Sequence, residues 1–264
     1  MTLSRIYMES EHDKCALFAM QFAAAGCPHY FLRIAGGCAG MSDEDAAGLR
    51  NIELAAGGER DGDPKFKGFA VFGATRMYQG RTDNPSCKVL QTITEVFPNI
   101  ADRLGTEAIL LGIASKYNHL LYSQTYGLVL EVNEQRGTFT TVNPSCKSVL
   151  ITQPSSDEKA HQLDEMKEAV EIVDQLHTID WQSLLVAYNG GPNTEREILT
   201  WAANGKRDPS PNRWQILLIR GSGRAADRYA RDPEFLAENA NNVHVADNNA
   251  SSIRAELLKL GALK

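Results

Sequence analysis

Long apolar runs are missing from this sequence. Nowhere do about 18 hydrophobic residues follow one another, so no membrane-spanning helix is expected. The opening segment, MTLSRIYMESEHDK, is charged and has no apolar stretch, which argues against a secretory signal. Thiol and metal motifs are also missing. The five cysteines (Cys15, Cys27, Cys38, Cys87 and Cys146) are odd in number and widely spaced, with no CxxC pair. That pattern suggests neither a zinc site nor a redox motif, and fits reduced thiols in a cytoplasmic protein. His12, His29, His119, His161, His177 and His244 include no HxxxH pair, so no metal centre is expected. No GxSxG nucleophile elbow occurs. Positive charge is in deficit: 27 Lys and Arg face 33 Asp and Glu, a net charge of −6. This speaks against the basic field of a general nucleic-acid binder, and no basic-aromatic stripe for single strands compensates.

What is present is an ordinary globular balance, 43% hydrophobic and 23% charged over 264 residues, enough for one large domain. Strand-like and helix-like stretches alternate. Tyr30 to Ala35, Gly68 to Phe72, Ala108 to Ile113, Leu184 to Ala187, Trp214 to Ile219 and Val243 to Val245 are short apolar runs of the kind buried in parallel sheets. Residues 9–26, 42–56, 87–103, 157–177, 194–203 and 250–260 read as helices. The alternation predicts an α/β fold: a doubly wound, mostly parallel sheet with helices on both faces. The whole of 1–264 reads as a single domain. Residues 1–29 form an N-terminal helical extension, and 116–153 a Tyr/Thr-rich insertion at the sheet edge or over the pocket. Within that insertion, Leu128 to Val132 and Thr138 to Val142 have the alternation of a hairpin, and Val149 to Ile151 reads as a further strand.

The chemistry-bearing signal is a set of glycine turns that follow strands. The central one is Trp181 to Leu199, WQSLLVAYNGGPNTEREIL. Its apolar run breaks at Asn189-Gly190-Gly191-Pro192-Asn193, and Thr194 with Glu197 three residues on has the spacing of a helix-starting capping box. Strand, glycine loop and helix start together direct backbone N–H groups and a positive helix end toward one point, where a phosphate fits. Similar turns occur at Gly36-Gly37-Cys38-Ala39-Gly40-Met41, capped by Ser42 and Asp45, and at Gly221-Ser222-Gly223-Arg224. Arg224 adds a forked donor suited to phosphate; its structural alternative is a surface pair with Asp227 or Asp232. Gly73, Thr75 and Arg76 form a further glycine turn with a cation beside it. In a doubly wound sheet all these turns share the rim at the strand carboxyl ends, where ligands bind. The pentapeptide Asn-Pro-Ser-Cys-Lys occurs at both 84–88 and 143–147, without flanking similarity that would indicate duplication.

Asn189 to Glu197 resembles the PGGxGTxxE motif of the SLOG superfamily, which includes the Lonely-guy phosphoribohydrolases. Gly221-Ser222-Gly223-Arg224-Ala225-Ala226-Asp227 is similar to the GSGRxAD segment of the SLOG domain in melastatin-type TRP channels and its prokaryotic relatives. Gly36 to Met41 resembles the GGxxGM turn of those relatives, and the likeness extends over residues 30 to 260. The resemblance implies a Rossmann-like sheet that binds a nucleotide or an ADP-ribose-type signal. It implies a sensor in an antiviral system that serves a separate effector protein, in some cases membrane-bound, with a homo-oligomer as a further expectation. The nucleotide is a ligand; no cofactor is expected. Carried over by position, ligand contacts are Gly36, Gly37, Gly40 and Met41; Asn189, Gly190, Gly191, Asn193, Thr194 and Glu197; Gly221, Ser222, Gly223 and Arg224; and, more loosely, Gly73, Thr75 and Arg76.

The departures set the alternatives. Asn189 stands where the motif has Pro, and Pro192-Asn193 replace the variable residue and the last glycine. Asn tolerates positive φ, so the turn survives this change. In the hydrolase branch an arginine on the preceding helix works with the motif glutamate. Residues 157–177 contain no arginine. Sensor is therefore the leading expectation. The alternative is a nucleotide N-glycosidase of the Lonely-guy type using Glu197, and action on single-stranded nucleic acid ranks last.

Overall fold

The computed structural model describes residues 5–8, 30–36, 43–57, 68–73, 75–79, 108–115, 121–123, 127–133, 138–142, 148–152, 161–208 and 210–263. Gly37, Gly40 and Met41, the expected helices over 9–26 and 87–103, both Asn-Pro-Ser-Cys-Lys copies and all five cysteines lie outside the described residues.

The expected α/β architecture is present. The main sheet contains β1 (Arg5–Met8), β2 (Tyr30–Ala35), β3 (Gly68–Gly73), β5 (Ala108–Ser115), β9 (Ser148–Thr152), β10 (Gln182–Ala187), β11 (Gln215–Arg220) and β12 (Val243–Asp247). Their order across the sheet is β1-β9-β5-β3-β2-β10-β11-β12, and every pairing is parallel. Strands buried on both faces carry near-continuous apolar runs, as β10 and β11 do: Leu184, Leu185, Val186, Ile216, Leu217, Leu218 and Ile219 are all fully buried.

Helices α1 (Asp43–Gly48) and α2 (Arg50–Gly57) follow β2. The expected single helix over 42–56 is thus two, with Leu49 between them. Then come α3 (His161–His177), α4 (Pro192–Arg207), α5 (Arg224–Ala230), α6 (Pro233–Glu238) and α7 (Ala250–Lys259). Helices α3 to α6 cover one face of the sheet. Ala169, Ile172, Val173 and Leu176 of α3 and Ile198, Trp201 and Ala202 of α4 pack on Phe31, Ala35, Leu185, Ala187, Ile216 and Leu218 in one apolar cluster. The alternate residues of the same strands face α2 and α7, and the Tyr30 hydroxyl donates to the Leu260 carbonyl just past α7.

Three segments depart from the sequence expectation. Arg5–Met8 is an edge strand paired with β9, not part of a helical extension. The Tyr/Thr-rich insertion supplies most of a second sheet, four-stranded and antiparallel, in the order β4 (Thr75–Gln79), β8 (Thr138–Val142), β7 (Gly127–Asn133), β6 (Leu121–Ser123). The expected hairpin is its β7–β8 pair. Gly73, Thr75 and Arg76 consequently do not form a strand-to-helix turn. Gly73 ends β3 of the main sheet, and Thr75 begins β4 of the second, opposite Val142. The expected glycine turn with its cation is thus followed by a strand of the second sheet.

The chain builds outward in two directions from β2. It runs first to β3, β5 and β9, then returns to place β10 on the other side of β2, followed by β11 and β12. The strand order reverses between β2 and β10, so their carboxyl ends flank the topological switch point at which doubly wound folds bind ligands.

Candidate functional site

At the switch point the two central strands come close. The Tyr188 N–H donates to the Ala35 carbonyl at 2.9 Å. A Cβ added to Gly36 would stand 2.8 Å from the Tyr188 carbonyl oxygen, so only glycine fits there without a shift. Beyond Tyr188 the chain leaves the sheet through two residues of positive φ, Asn189 (53°) and Gly190 (84°). Asn is the non-glycine residue best suited to this region, whereas a proline, its φ fixed at about −65°, could not adopt it.

Helix α4 begins three residues earlier than its sequence suggests. Gly191 is the N-cap, without a side-chain capping bond, and Pro192 occupies the first turn. Proline's fixed φ and missing N–H suit that position. Thr194, expected as the cap, is instead buried within the helix, and its side chain fills the space that any Cβ on Gly190 would need. The capping-box spacing of Thr194 and Glu197 is therefore not used.

The β10–α4 and β11–α5 loops are bound into one unit. Asn189 N–H donates to Ser222 Oγ at 2.8 Å, and Ser222 Oγ–H donates to the Ile219 carbonyl at 2.7 Å. Ala226 N–H and Ala225 N–H donate to the carbonyls of Asn189 and Gly190 at 3.0 and 3.2 Å. Two amides expected to hold phosphate are occupied internally: Gly190 N–H binds Asn189 Oδ1 at 2.7 Å, and Gly221 N–H binds Asp227 Oδ1 at 2.5 Å. None of these bonds uses the amides of Gly191 and Gly223. The Arg224 guanidinium lies against Gly191: a Cβ there would be 2.7 Å from Nη2. Arg224 itself has φ 50°, directly after Gly223 at 87°. Non-glycine residues held at positive φ concentrate at functional sites, and Asn189 and Arg224 are two such residues on one crevice.

The two carboxylates named from the sequence as partners for Arg224 also serve other groups. Asp227 pairs with Arg231 at 2.9 Å, and Asp232 caps α6 by accepting from Glu234 and Phe235 N–H groups. Arg220 is tied to Asp247 at 2.7 Å and Arg228 to Glu195 at 2.5 Å. Asn193 is exposed on the first turn of α4.

Several site residues were not read from the sequence. Tyr188, buried beside the crevice, donates to the Asp45 carbonyl at 2.5 Å and accepts from Asn248 Nδ2 at 3.3 Å. Burial raises its hydroxyl pKa, so it stays a neutral hydrogen-bonding group. Asn51 Nδ2 in turn donates to Asn248 Oδ1 at 3.0 Å. This network links the ends of β10 and β12 to α1 and α2, and its members are distant in sequence.

Arg33 is the other omission. It faces α4 from the middle of β2, in register with Leu185. Its Nη2 lies 2.7 Å from Glu197 Oε1, with side-chain exposures of 6% and 10%. Glu197 thus has an arginine partner after all, delivered by a strand, where the resemblance led to a helix. Glu197 Oε2 and Asn189 Nδ2 are buried polar atoms with no hydrogen-bond partner among the described residues.

The candidate site therefore brings together Gly36, Asn189, Gly190, Gly191, Gly221, Ser222, Gly223 and Arg224, with Thr194 and Glu197 beneath them on α4. Gly73 ends β3, the strand paired with β2, whereas Thr75 and Arg76 lie in the second sheet. Among the described residues no helix is long and apolar enough to cross a membrane. In comparisons with known proteins, no protein-family model matches the chain and no curated protein matches it significantly.

Proposed function

We propose that this chain is a nucleotide sensor of the SLOG type. In this reading a phosphate-bearing, ADP-ribose-type ligand occupies the crevice between β2, β10 and β11. Its phosphate is held by the Gly191 and Gly223 amides, the positive end of α4 and the Arg224 fork. Occupancy is passed to a separate effector protein in an antiviral system. One observation carries the reading. The order reversal between β2 and β10 coincides with an uncapped sixteen-residue helix start at Gly191, against which an arginine of strained backbone is folded.

Cleavage of the nucleotide's N-glycosidic bond is the second reading, favoured by the 2.7 Å contact of Arg33 with Glu197. The depth of that pair weighs against it, since a glutamate must reach the ribosyl centre to stabilise an oxocarbenium-like transition state.

The test is a thermal-shift panel of ADP-ribose, NAD, AMP and cyclic nucleotides, with each recovered ligand analysed by chromatography. At about 100 times its dissociation constant a ligand adds about 2.7 kcal/mol of stability. The expected result is a shift that Arg224→Ala abolishes, with the nucleotide recovered intact. Release of free base, lost in Glu197→Gln, would replace the sensor reading with the hydrolase. The absence of any shift would remove both.

A further inference from the structure

The rim opposite the crevice carries a second cleft of about 350 Å³, between the last turns of α3 and α4 at the amino ends of β10 and β11. Its wall includes Asp174, His177, Asn204, Arg207, Arg213 and Trp214. The volume falls within the range of small-molecule sites. The charges divide into two groups. Arg213 is committed to the protein: it donates to the His177 carbonyl at 2.8 Å and pairs with Asp180 and Asp208 at 3.4 and 3.5 Å. Arg207 and Asp174 are not so committed. Among the described residues Asp174 has no salt-bridge partner, and Arg207 is bonded through Nη2 to Asn204 Oδ1, which leaves the rest of its fork toward the cleft.

Asn204 supplies the second observation. It lines the cleft, is 4% exposed, and its Oδ1 accepts from Arg207, so Nδ2 is its remaining donor. That Nδ2 is buried without a hydrogen-bond partner among the described residues. A buried amide donor left unmade costs free energy, and a ligand acceptor would recover it. Next to it Arg207 offers a planar fork suited to a carboxylate. Asp174, on the facing helix, offers an acceptor for a cation. His177 adds no charge, because burial and nearby Arg213 hold its pKa down to about 4.

We propose that this cleft binds a small zwitterion of the free α-amino-acid class. The carboxylate is received by Arg207 and Asn204 Nδ2, and the ammonium by Asp174. The charge pattern distinguishes this ligand from a simple anion. Arg207 and Arg213 on the wall balance Asp174 and Asp208, so the lining is neutral overall and offers no net attraction to a simple anion. A ligand that is neutral overall with separated charges matches both groups at once. The site lies apart from the nucleotide crevice, separated from it by the length of a six-residue strand, about 20 Å.

The test is titration of the full chain with a panel of free L-amino acids, read by the fluorescence of Trp201 and Trp214 and by thermal shift. The matching deaminated carboxylates and decarboxylated amines serve as controls. At least one amino acid binds, and its control compounds bind roughly 10-fold or more weakly. Asp174→Asn and Arg207→Gln, both at accessible positions, each weaken binding by a similar factor and leave the unliganded Tm near that of the parent. Nucleotide shifts at the crevice persist in both variants. The proposal is overturned if no amino acid binds, if a deaminated carboxylate binds as tightly as its amino acid, or if both variants bind like the parent protein.

Discussion

Arg33 is an arginine in the middle of a strand whose every residue is buried. A lone guanidinium there would carry a large desolvation cost, which the 2.7 Å contact with Glu197 offsets. Breaking such a pair is far worse than replacing it. Arg33→Met or Glu197→Gln alone is expected to destabilise the fold by about 3–5 kcal/mol, whereas the double variant Arg33→Met with Glu197→Leu recovers most of that loss. Urea unfolding of the three variants measures this, and full additivity of the two single effects would contradict the pairing. The expectation also bears on activity assays: Glu197→Gln must be shown to be folded before a lost hydrolysis is assigned to chemistry. Arg33 was not legible as a site residue. Its partner lies 164 residues away, and a single charge in an apolar run gives no local sign of what will neutralise it.

Between the elements, stability of the crevice depends on the bond from one strand-to-helix loop to the next. Ser222, fully buried, joins them as acceptor for Asn189 and donor to Ile219. Ser222→Ala removes both bonds and leaves a buried backbone N–H unmade, an expected loss of about 1–3 kcal/mol. Because Asn189 is held in its positive-φ conformation by that bond, nucleotide affinity should fall alongside Tm. A variant with lowered Tm and unchanged affinity would show that the loops keep their form separately. The elements themselves were legible where burial on both sides leaves an unbroken apolar run, as in β10 and β11. The start of α4 was not. Two capping signals compete within six residues, and the glycine–proline pair prevails over the threonine–glutamate box because Thr194 is needed as packing on Gly190. Strand β4 was missed for a different reason: its partner β8 lies more than fifty residues away in the chain, and Thr75 to Gln79 has little apolar character of its own.

At the scale of the whole molecule, the expected response to acid centres on His177 at the amino rim. His177 is buried against Trp214, ring centroids 5.1 Å apart, and its Nε2 is 2.9 Å from Ser183 Oγ. Ser183 Oγ accepts from Trp214 N–H at 3.0 Å and keeps a proton that it can donate to a neutral imidazole. Burial, and then Arg213, lower the His177 pKa from 6.5 to about 4. A depressed histidine pKa means the unfolded chain takes up a proton that the folded one refuses. The contribution is complete above pH 6.5 and is lost as pH falls toward about 4. Tm should therefore decline across that window, and His177→Gln, which cannot titrate, should flatten the decline. An unchanged profile in the variant would assign the acid sensitivity elsewhere. At this scale the sheet order was only partly foreseeable. Alternation predicts parallel units with helices on both faces, but which strand lies beside β2 is decided by long-range packing.

Helix α4 has one end at each rim. Gly191 starts it in the crevice, and Asn204 and Arg207 close it at the opposite cleft. Sixteen residues make a rod about 24 Å long, seated on the sheet by Ile198, Trp201 and Ala202 along its middle. A rod supported at its centre behaves as a lever: a tilt imposed at one end appears reversed at the other. Ligands placed at Gly191 and at the opposite cleft would press on the two ends of one rod, and any coupling between them would be reciprocal.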